Sequence, residues 1–409
     1  MKGIKNMKNV LIIIHSLESG GAQKSLISFL KCLDKLDKYK EYNIDLIIGN
    51  KGGFLRKEVP NNVNLIRNDL FCWISNPLKK LNLISDFSLK GFLAKINLIV
   101  YRKFNKEKNI NSYFWKIWNK YIPKNSKKYD IAIAYMDGWC SHYVMDKVDS
   151  KKKILWVHNE YQKLGYDKDF DYKYYKNCDK IITISQKCVD SFLLTFPEFK
   201  NKIHILENIS LKDEIQRLSF EKNDIEFLQS KSQIKLLSIG RLSSQKGFDI
   251  AVESAKILKE KNLDFLWLII GKGEDEILLK NKIKEYGLEN NFMLIGERKN
   301  PYSYIKDCDI FLQTSRYEGK SIVLDEAKIL EKPIIVTNYK TVRDSIEDKK
   351  TGMIVELNPL KIAQTIENLI NNKDEMLKLS LNLNKQNLGN EREIKRYLNI
   401  MFEEKGNDM

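Results

Sequence analysis

The sequence predicts an α/β protein of two consecutive domains, each a parallel β-sheet covered by helices on both faces. Three observations lead there. A chain of 409 residues exceeds a typical single domain, so two are the natural expectation. Short runs that are apolar throughout alternate with stretches whose apolar residues recur at helical spacing, the pattern of strands buried between crossover helices. The alternation lapses in the polar segment 207–232 and restarts near residue 234.

Taken in order, "NVLIIIH" (9–15) reads as the first buried strand. With the basic residues before it, this run resembles a secretion signal. It lasts only about five residues, however, and His15 and Glu18 follow it, so a strand is the better reading; Met7 is a possible alternative start. Residues 22–36 follow as a helix with Leu26, Ile27, Leu30 and Leu33 at helical spacing. Further strands are "IDLIIG" (44–49), "YDIAIAY" (129–135), "KILWVH" (153–158) and "KIITIS" (180–185). The second half reads strand "IKLLSIG", helix "FDIAVESAKILKE", strand "DFLWLIIG", helix "EDEILLKNKIKEYG", then strands "NFMLIG" and "CDIFLQT". A helix from about Ser321, the strand "KPIIVT" and a charged amphipathic tail helix complete it.

Hydrophobic residues at 43% and charged residues at 30% are ordinary for a soluble globular protein, and no apolar run is long enough for a transmembrane helix. The six cysteines, Cys32, Cys72, Cys140, Cys178, Cys188 and Cys308, form no CxxC pair, which fits a reducing cytosol. The net charge of +16 is concentrated. Residues 71–130 hold 13 Lys or Arg against 3 Asp or Glu, and 12 aromatic residues that include Trp73, Phe92, Trp115 and Trp118. Cations interleaved with rings suit an anionic membrane surface. Nucleic acid is the weaker alternative, and a solvated basic face over buried aromatics is the structural one.

In open α/β sheets ligands bind beyond the carboxyl ends of strands, so residues just after strands carry the chemistry. "SLESGGAQKSL" (16–26) places Gly20 and Gly21 at a helix start, where free amides favour an anion; a plain strand-to-helix turn is the alternative. In "WVHNEY" (156–161), His158 ends a strand, where its neutral ring can bond a sugar hydroxyl or simply be satisfied in the core. "SIGRLSSQKGFDIAVES" (238–254) follows Gly240 with Arg241, a bidentate fork, and Lys246, a mobile point charge. That pair suits a leaving diphosphate, with two surface cations as the alternative. "IIGKGEDEILL" (269–279) has Gly271 and Gly273 but no third glycine for a dinucleotide fingerprint. In "SRYEGKSIVLDEA" (315–327), Glu318 can accept from vicinal sugar hydroxyls and Gly319 admits a close backbone approach. The amides of Lys320, Ser321 and Ile322 can hold phosphate, and Glu326 can accept from two ribose hydroxyls. Two surface glutamates are the alternative. "DKDFD", with Asp167, Asp169 and Asp171, has the look of a metal motif but lacks a glycine turn and a distal glutamate, so no metal is expected.

The order of GG loop, histidine, GR…KG, GxG and two glutamates eight apart resembles the retaining glycosyltransferases of family 4, which have the GT-B fold. The resemblance spans nearly the whole chain and is strongest over 234–340. It implies two Rossmann-like domains facing across a cleft: 1–206 for the acceptor, 207–388 for the donor, and a helix in 389–409 that crosses back to the first domain. It implies a hexosyltransferase in which Arg241 and Lys246 bind the donor diphosphate, Glu318 faces the donor sugar, Glu326 binds ribose and His158 sits by the sugar. Gly20 and Gly21 match a loop near phosphates and acceptor, and Arg298 in "GERKNPY" matches the base-binding region.

The resemblance further implies a UDP- or GDP-sugar donor and a lipid-linked saccharide acceptor in capsule or O-antigen assembly. No metal or separate cofactor is implied, nor a nucleic-acid partner. The expected location is cytoplasmic, peripheral on the inner face of the plasma membrane. Lys320 and Ser321 stand where the family often has Phe or Leu and then Pro, so the family's sugar preference does not carry over. "ENIS" (207–210) replaces a frequent Asn-Gly turn. A GT-B nucleotide-sugar epimerase and a non-catalytic nucleotide-sugar or membrane-binding module are the competing readings.

Overall fold

The computed structural model describes residues 7–402 apart from 19, 51–52, 67–88, 105–109, 223–233 and 387. The first sheet comprises β1 (Lys8–Ile14), β2 (Tyr42–Ile48), β3 (Val63–Ile66), β4 (Lys128–Ala134), β5 (Asp149–Val157), β6 (Lys180–Thr183) and β7 (Ile203–Ile205). Its helices are α1 (Gly21–Lys35), α2 (Leu89–Phe104), α3 (Ile110–Trp118), α4 (Trp139–Lys147), α5 (Lys168–Asn177) and α6 (Gln186–Leu193). After α7 (Lys212–Ser219), the second sheet contains β8 (Ile234–Ile239), β9 (Phe265–Ile270), β10 (Phe292–Gly296), β11 (Ile310–Gln313), β12 (Ile334–Thr337) and β13 (Met353–Val355). It alternates with α8 (Phe248–Glu260), α9 (Glu276–Glu285), α10 (Tyr302–Asp307), α11 (Ile322–Ile329), α12 (Pro359–Asn371) and α13 (Lys373–Asn384). The last helix is α14 (Glu393–Phe402).

Both sheets are parallel throughout, in the orders β3-β2-β1-β4-β5-β6-β7 and β10-β9-β8-β11-β12-β13. These are two Rossmann-like domains. Strand order reverses between β1 and β4 and again between β8 and β11, and crevices at the carboxyl ends of strands form at such points. The central strands are apolar on both faces because helices cover both. Val10 to Ile14 of β1 are wholly buried, as are Trp267 to Ile269 of β9. The buried Trp267 indole is satisfied by the Ser238 hydroxyl of β8 at 3.0 Å.

The chain divides into two compact units, 1–209 together with 392–409, and 210–391. Helix α14 belongs to the first. Its buried Tyr397 packs against Phe29 and Trp156, its Phe402 against Tyr42, and the Tyr397 hydroxyl donates to the Glu207 carbonyl at 2.9 Å.

One expectation changes in the first unit. Trp115 and Trp118 of α3 are core residues, and the Trp115 indole donates to Asp146 at 2.7 Å, so these rings face no membrane. Trp73 lies outside the described residues. Two of the "DKDFD" acids, Asp167 and Asp171, are structural, and Asp169 is exposed. Asp167 caps α5 by accepting from the Asp169 and Phe170 amides, and buried Asp171 accepts from Tyr161 and bonds His142, both at 2.8 Å. Among the described residues no His/Cys/Asp/Glu cluster is arranged to hold a metal ion, and no helix is long and apolar enough to cross a membrane. Cys32, Cys140, Cys178, Cys188 and Cys308 are buried and form no disulfide.

Candidate active site

The candidate residues fall into two groups, one in each unit. In the second unit, the loop after β8 and the loop after β11 lie side by side, as expected of neighbouring strands at a switch point. Backbone and side-chain bonds join them. The Thr314 hydroxyl donates to the Lys246 carbonyl at 3.0 Å, and the Arg316 amide to the Gln245 carbonyl at 2.8 Å. Arg316 also clamps Asp249 of α8 through two bonds of 2.8 and 2.7 Å. Burial alone would raise the Asp249 carboxyl, but the guanidinium overrides it and holds the pKa below its ordinary value. Gly247 makes this approach possible. Its φ is +63°, and a Cβ there would lie 2.1 Å from the Thr314 carbonyl oxygen. Gly271, after β9, lies against the Gly240 carbonyl in the same way.

Glu318 sits at the centre of these loops. It is 7% exposed, which excludes a surface role. Its Oε1 accepts from Lys246 Nζ at 2.6 Å, the Ser315 hydroxyl at 2.6 Å and Gln313 Nε2 at 2.8 Å. Its Oε2 accepts from Gln245 Nε2 at 3.4 Å. The Lys246 stem crosses Gly240, where a Cβ would stand 3.2 Å from the lysine Cδ and Cε. Arg241 is exposed on the same loop. Gly319 and Lys320 are half-buried. Ser321 is the N-cap residue of α11, yet its buried hydroxyl makes no capping bond and has no partner, and Ile322 opens the helix. Glu326 is buried about one turn on and accepts from the Tyr302 hydroxyl at 3.2 Å. Arg298 is turned back on its own loop, bonding the Ile295 and Glu297 carbonyls and the Tyr304 hydroxyl.

In the first unit, three groups gather at the carboxyl ends of β1, β4 and β5. Gly20 is the extended N-cap residue of α1, and Gly21 is the first helical residue. His158 is buried beneath Trp156 and Tyr135, and its Nε2 bonds the Tyr135 carbonyl at 2.9 Å, which makes that nitrogen the donor and leaves Nδ1 as the acceptor. Burial pushes its pKa down to about 4, with the carbonyl bond opposing only in part. His15, at the end of β1, accepts from the Trp139 indole at 3.0 Å on Nδ1, and burial likewise lowers its pKa to about 4.

Asp137 escaped the sequence reading. It lies just past β4, buried, with the Tyr166 hydroxyl on Oδ1 at 2.5 Å and Oδ2 without a partner. Burial raises its pKa, with the Tyr166 bond opposing. The signal was present in "YMDGW", an acid directly after a strand.

A depressed histidine pKa has a measurable sign. Between about 4 and 6.5 the unfolded chain takes up a proton at His158 that the folded state refuses, so this contribution to stability is complete above pH 6.5 and lost as pH falls towards 4. His158→Gln removes it. Relative to the native chain, the variant should gain stability on acidification through that window, at up to ~1.4 kcal/mol per pH unit, with Asp137 titrating in both proteins. Denaturant unfolding measured across the window checks this; a pH-independent difference rules out a buried neutral His158.

Comparison with known proteins agrees with this geometry. Residues 219–386 match the sequence model of the family described as glycosyl transferases group 1. An uncharacterized glycosyltransferase of Methanocaldococcus jannaschii is 30% identical over 277 residues, covering 62% of this chain and 67% of that protein. A Campylobacter jejuni protein is 26% identical over 355 residues, covering 86% of this chain and 87% of its own. Its name is N-acetylgalactosamine-N,N'-diacetylbacillosaminyl-diphospho-undecaprenol 4-alpha-N-acetylgalactosaminyltransferase. Among solved structures, Anabaena HepE in complex with UDP and glucose aligns over 97% of this chain and all of that one, with a TM-score of 0.69 at 13% identity. That likeness assigns the GT-B fold. With 30% of the aligned residues identical across 67% of a relative, and the matched segment enclosing the Lys246–Glu318 loops, the chain belongs to the group 1 glycosyl transferases.

Proposed function

We propose that this protein is a retaining hexosyltransferase that moves a sugar from a UDP- or GDP-sugar to a lipid-linked saccharide, in the assembly of a cell-surface polysaccharide. The observation that carries the reading is the contact of Lys246 with Glu318 beside the α11 N-terminus, a cation and a carboxylate next to the start of a helix. Arg241, Lys246 and the amides of Lys320, Ser321 and Ile322 would hold the diphosphate, whose charge grows as it leaves. Glu318 would orient the sugar, Glu326 the ribose, and Arg298 would lie near the base. His158 would sit by the sugar, and the Gly20–Gly21 loop would lie near phosphates and acceptor.

In the reaction, the bond from the anomeric carbon to the diphosphate oxygen breaks. The acceptor oxygen bonds the same carbon on the same face, and its proton passes to the departing diphosphate. Neither a metal nor a further cofactor takes part. The diphospho-undecaprenol in the name of the C. jejuni relative supports a lipid-linked acceptor, and the UDP bound by HepE supports a nucleotide donor. With such an acceptor the enzyme would work in the cytoplasm, peripheral on the inner face of the plasma membrane.

Thermal unfolding with UDP, GDP, ADP, TDP or CMP, and then their sugars, tests the reading. Ligand at a hundred times its Kd should add about 2.7 kcal/mol to the folded state and raise the midpoint with one base only. No shift with any nucleotide overturns the donor site. A shift without transfer to any saccharide favours the binding module, and sugar inversion at C2 without an acceptor favours the epimerase.

A further inference from the structure

Helix α2 turns an apolar stripe outward. Leu89 is 61% exposed, Phe92 41%, Leu93 43%, Ile96 40%, Ile99 55% and Val100 48%. Their spacing puts all six on one side of the helix, the side that an ordinary surface helix turns towards its core. The helix sequence contains Lys90, Lys95, Arg102 and Lys103 and no acidic residue. It lies within the segment that holds 13 cations against 3 anions. Its neighbour is firm, since Trp115 and Trp118 anchor α3 in the core and Asn97 of α2 donates to the Tyr121 hydroxyl just beyond α3 at 2.5 Å.

We infer that the outward stripe of α2 is a membrane-docking surface that enters the interfacial layer of an anionic bilayer. Six apolar side chains on one face supply the insertion, and a helix with cations and no acids matches negatively charged headgroups. A second copy of the chain would meet the same net positive charge on itself, which disfavours self-association through this face. This narrows the segment the sequence pointed to, 71–130: the α3 tryptophans are core, and the exposed apolar residues, Phe92 among them, lie on α2. The inference deepens the transferase reading and rests on it for its purpose, because a lipid-linked acceptor would be presented at the surface where α2 docks.

Flotation of the full chain with phosphatidylcholine vesicles, with and without phosphatidylglycerol, tests it. The native protein should float with the anionic vesicles and far less with neutral ones, and added salt should weaken binding. The double variant Ile96→Glu, Ile99→Glu should bind anionic vesicles at least tenfold more weakly while keeping the nucleotide-diphosphate midpoint shift of the native chain. Equal flotation of native and variant proteins overturns the inference, as does failure of the native chain to float. A concentration-dependent dimer that the variant abolishes also overturns it and assigns the stripe to a second copy. Flotation that persists without any nucleotide shift leaves the docking surface standing and sinks the transferase reading instead.

Discussion

Glu318→Gln should lower the rate of sugar transfer by roughly a hundred- to a thousandfold while leaving the protein folded. The substitution keeps an oxygen that can accept from Ser315 and Gln313, which hold Oε1 at 2.6 and 2.8 Å. It removes the charge that faces Lys246 and, as proposed, the acceptor for the sugar hydroxyls. It also sets an amide nitrogen against Gln245 Nε2, a donor meeting a donor, which costs about 1–3 kcal/mol if neither side chain turns away. Glu318→Ala strips all four donors of their acceptor, so it lowers stability more and reports less cleanly on catalysis. Single-turnover transfer and thermal unfolding, measured together, separate the two effects. A Gln variant that transfers at the native rate removes Glu318 from the reaction.

Gly247→Ala should destabilise the second unit by about 3–4 kcal/mol and abolish nucleotide binding with it. Two causes add. A left-handed backbone costs a residue with a Cβ about 1–2 kcal/mol, and the new methyl would lie 2.1 Å from the Thr314 carbonyl oxygen, backbone that cannot rotate away. Relief requires the loop after β8 to part from the loop after β11. That breaks the Thr314 and Arg316 bonds and moves Lys246 off Glu318. Gly165 provides the control: its φ is +64°, nearly the same, but nothing lies within 4 Å of a Cβ there. Gly165→Ala should therefore lose only the conformational part. Urea unfolding of both variants measures the difference, and equal losses would mean that crowding at Thr314 plays no part.

The central strands were legible because burial on both faces leaves its mark directly, as in "NVLIIIH" and "DFLWLIIG". β3, β7 and β13 were missed. Each lies at the edge of a sheet, has three or four residues and is only partly buried, so no apolar run announces it. The placing of Arg241, Lys246, Glu318 and Glu326 after β8 and β11 was readable from order alone, since chemistry in such sheets collects where strands end. The donors from Gln313 and Ser315 to Glu318 were not readable, because they depend on how a loop folds back on its own strand. The aromatic residues of 71–130 misled for a related reason: composition does not say which face of α3 is inward, and Trp115 and Trp118 proved to be core.

Helix α14 sets the order in which the molecule can be completed during synthesis. Domains generally fold as they emerge, the earliest first. Here the bond from Tyr397 to the Glu207 carbonyl joins residues 190 positions apart, and the whole of the second unit lies between them in the chain. Until α14 is made, Phe29, Tyr42 and Trp156 lack the rings that cover them. The second unit, a continuous stretch, can close on the ribosome before the first, which began earlier and is finished last. An incomplete nascent chain would therefore expose an aromatic face for most of its synthesis, the kind of surface that chaperones hold.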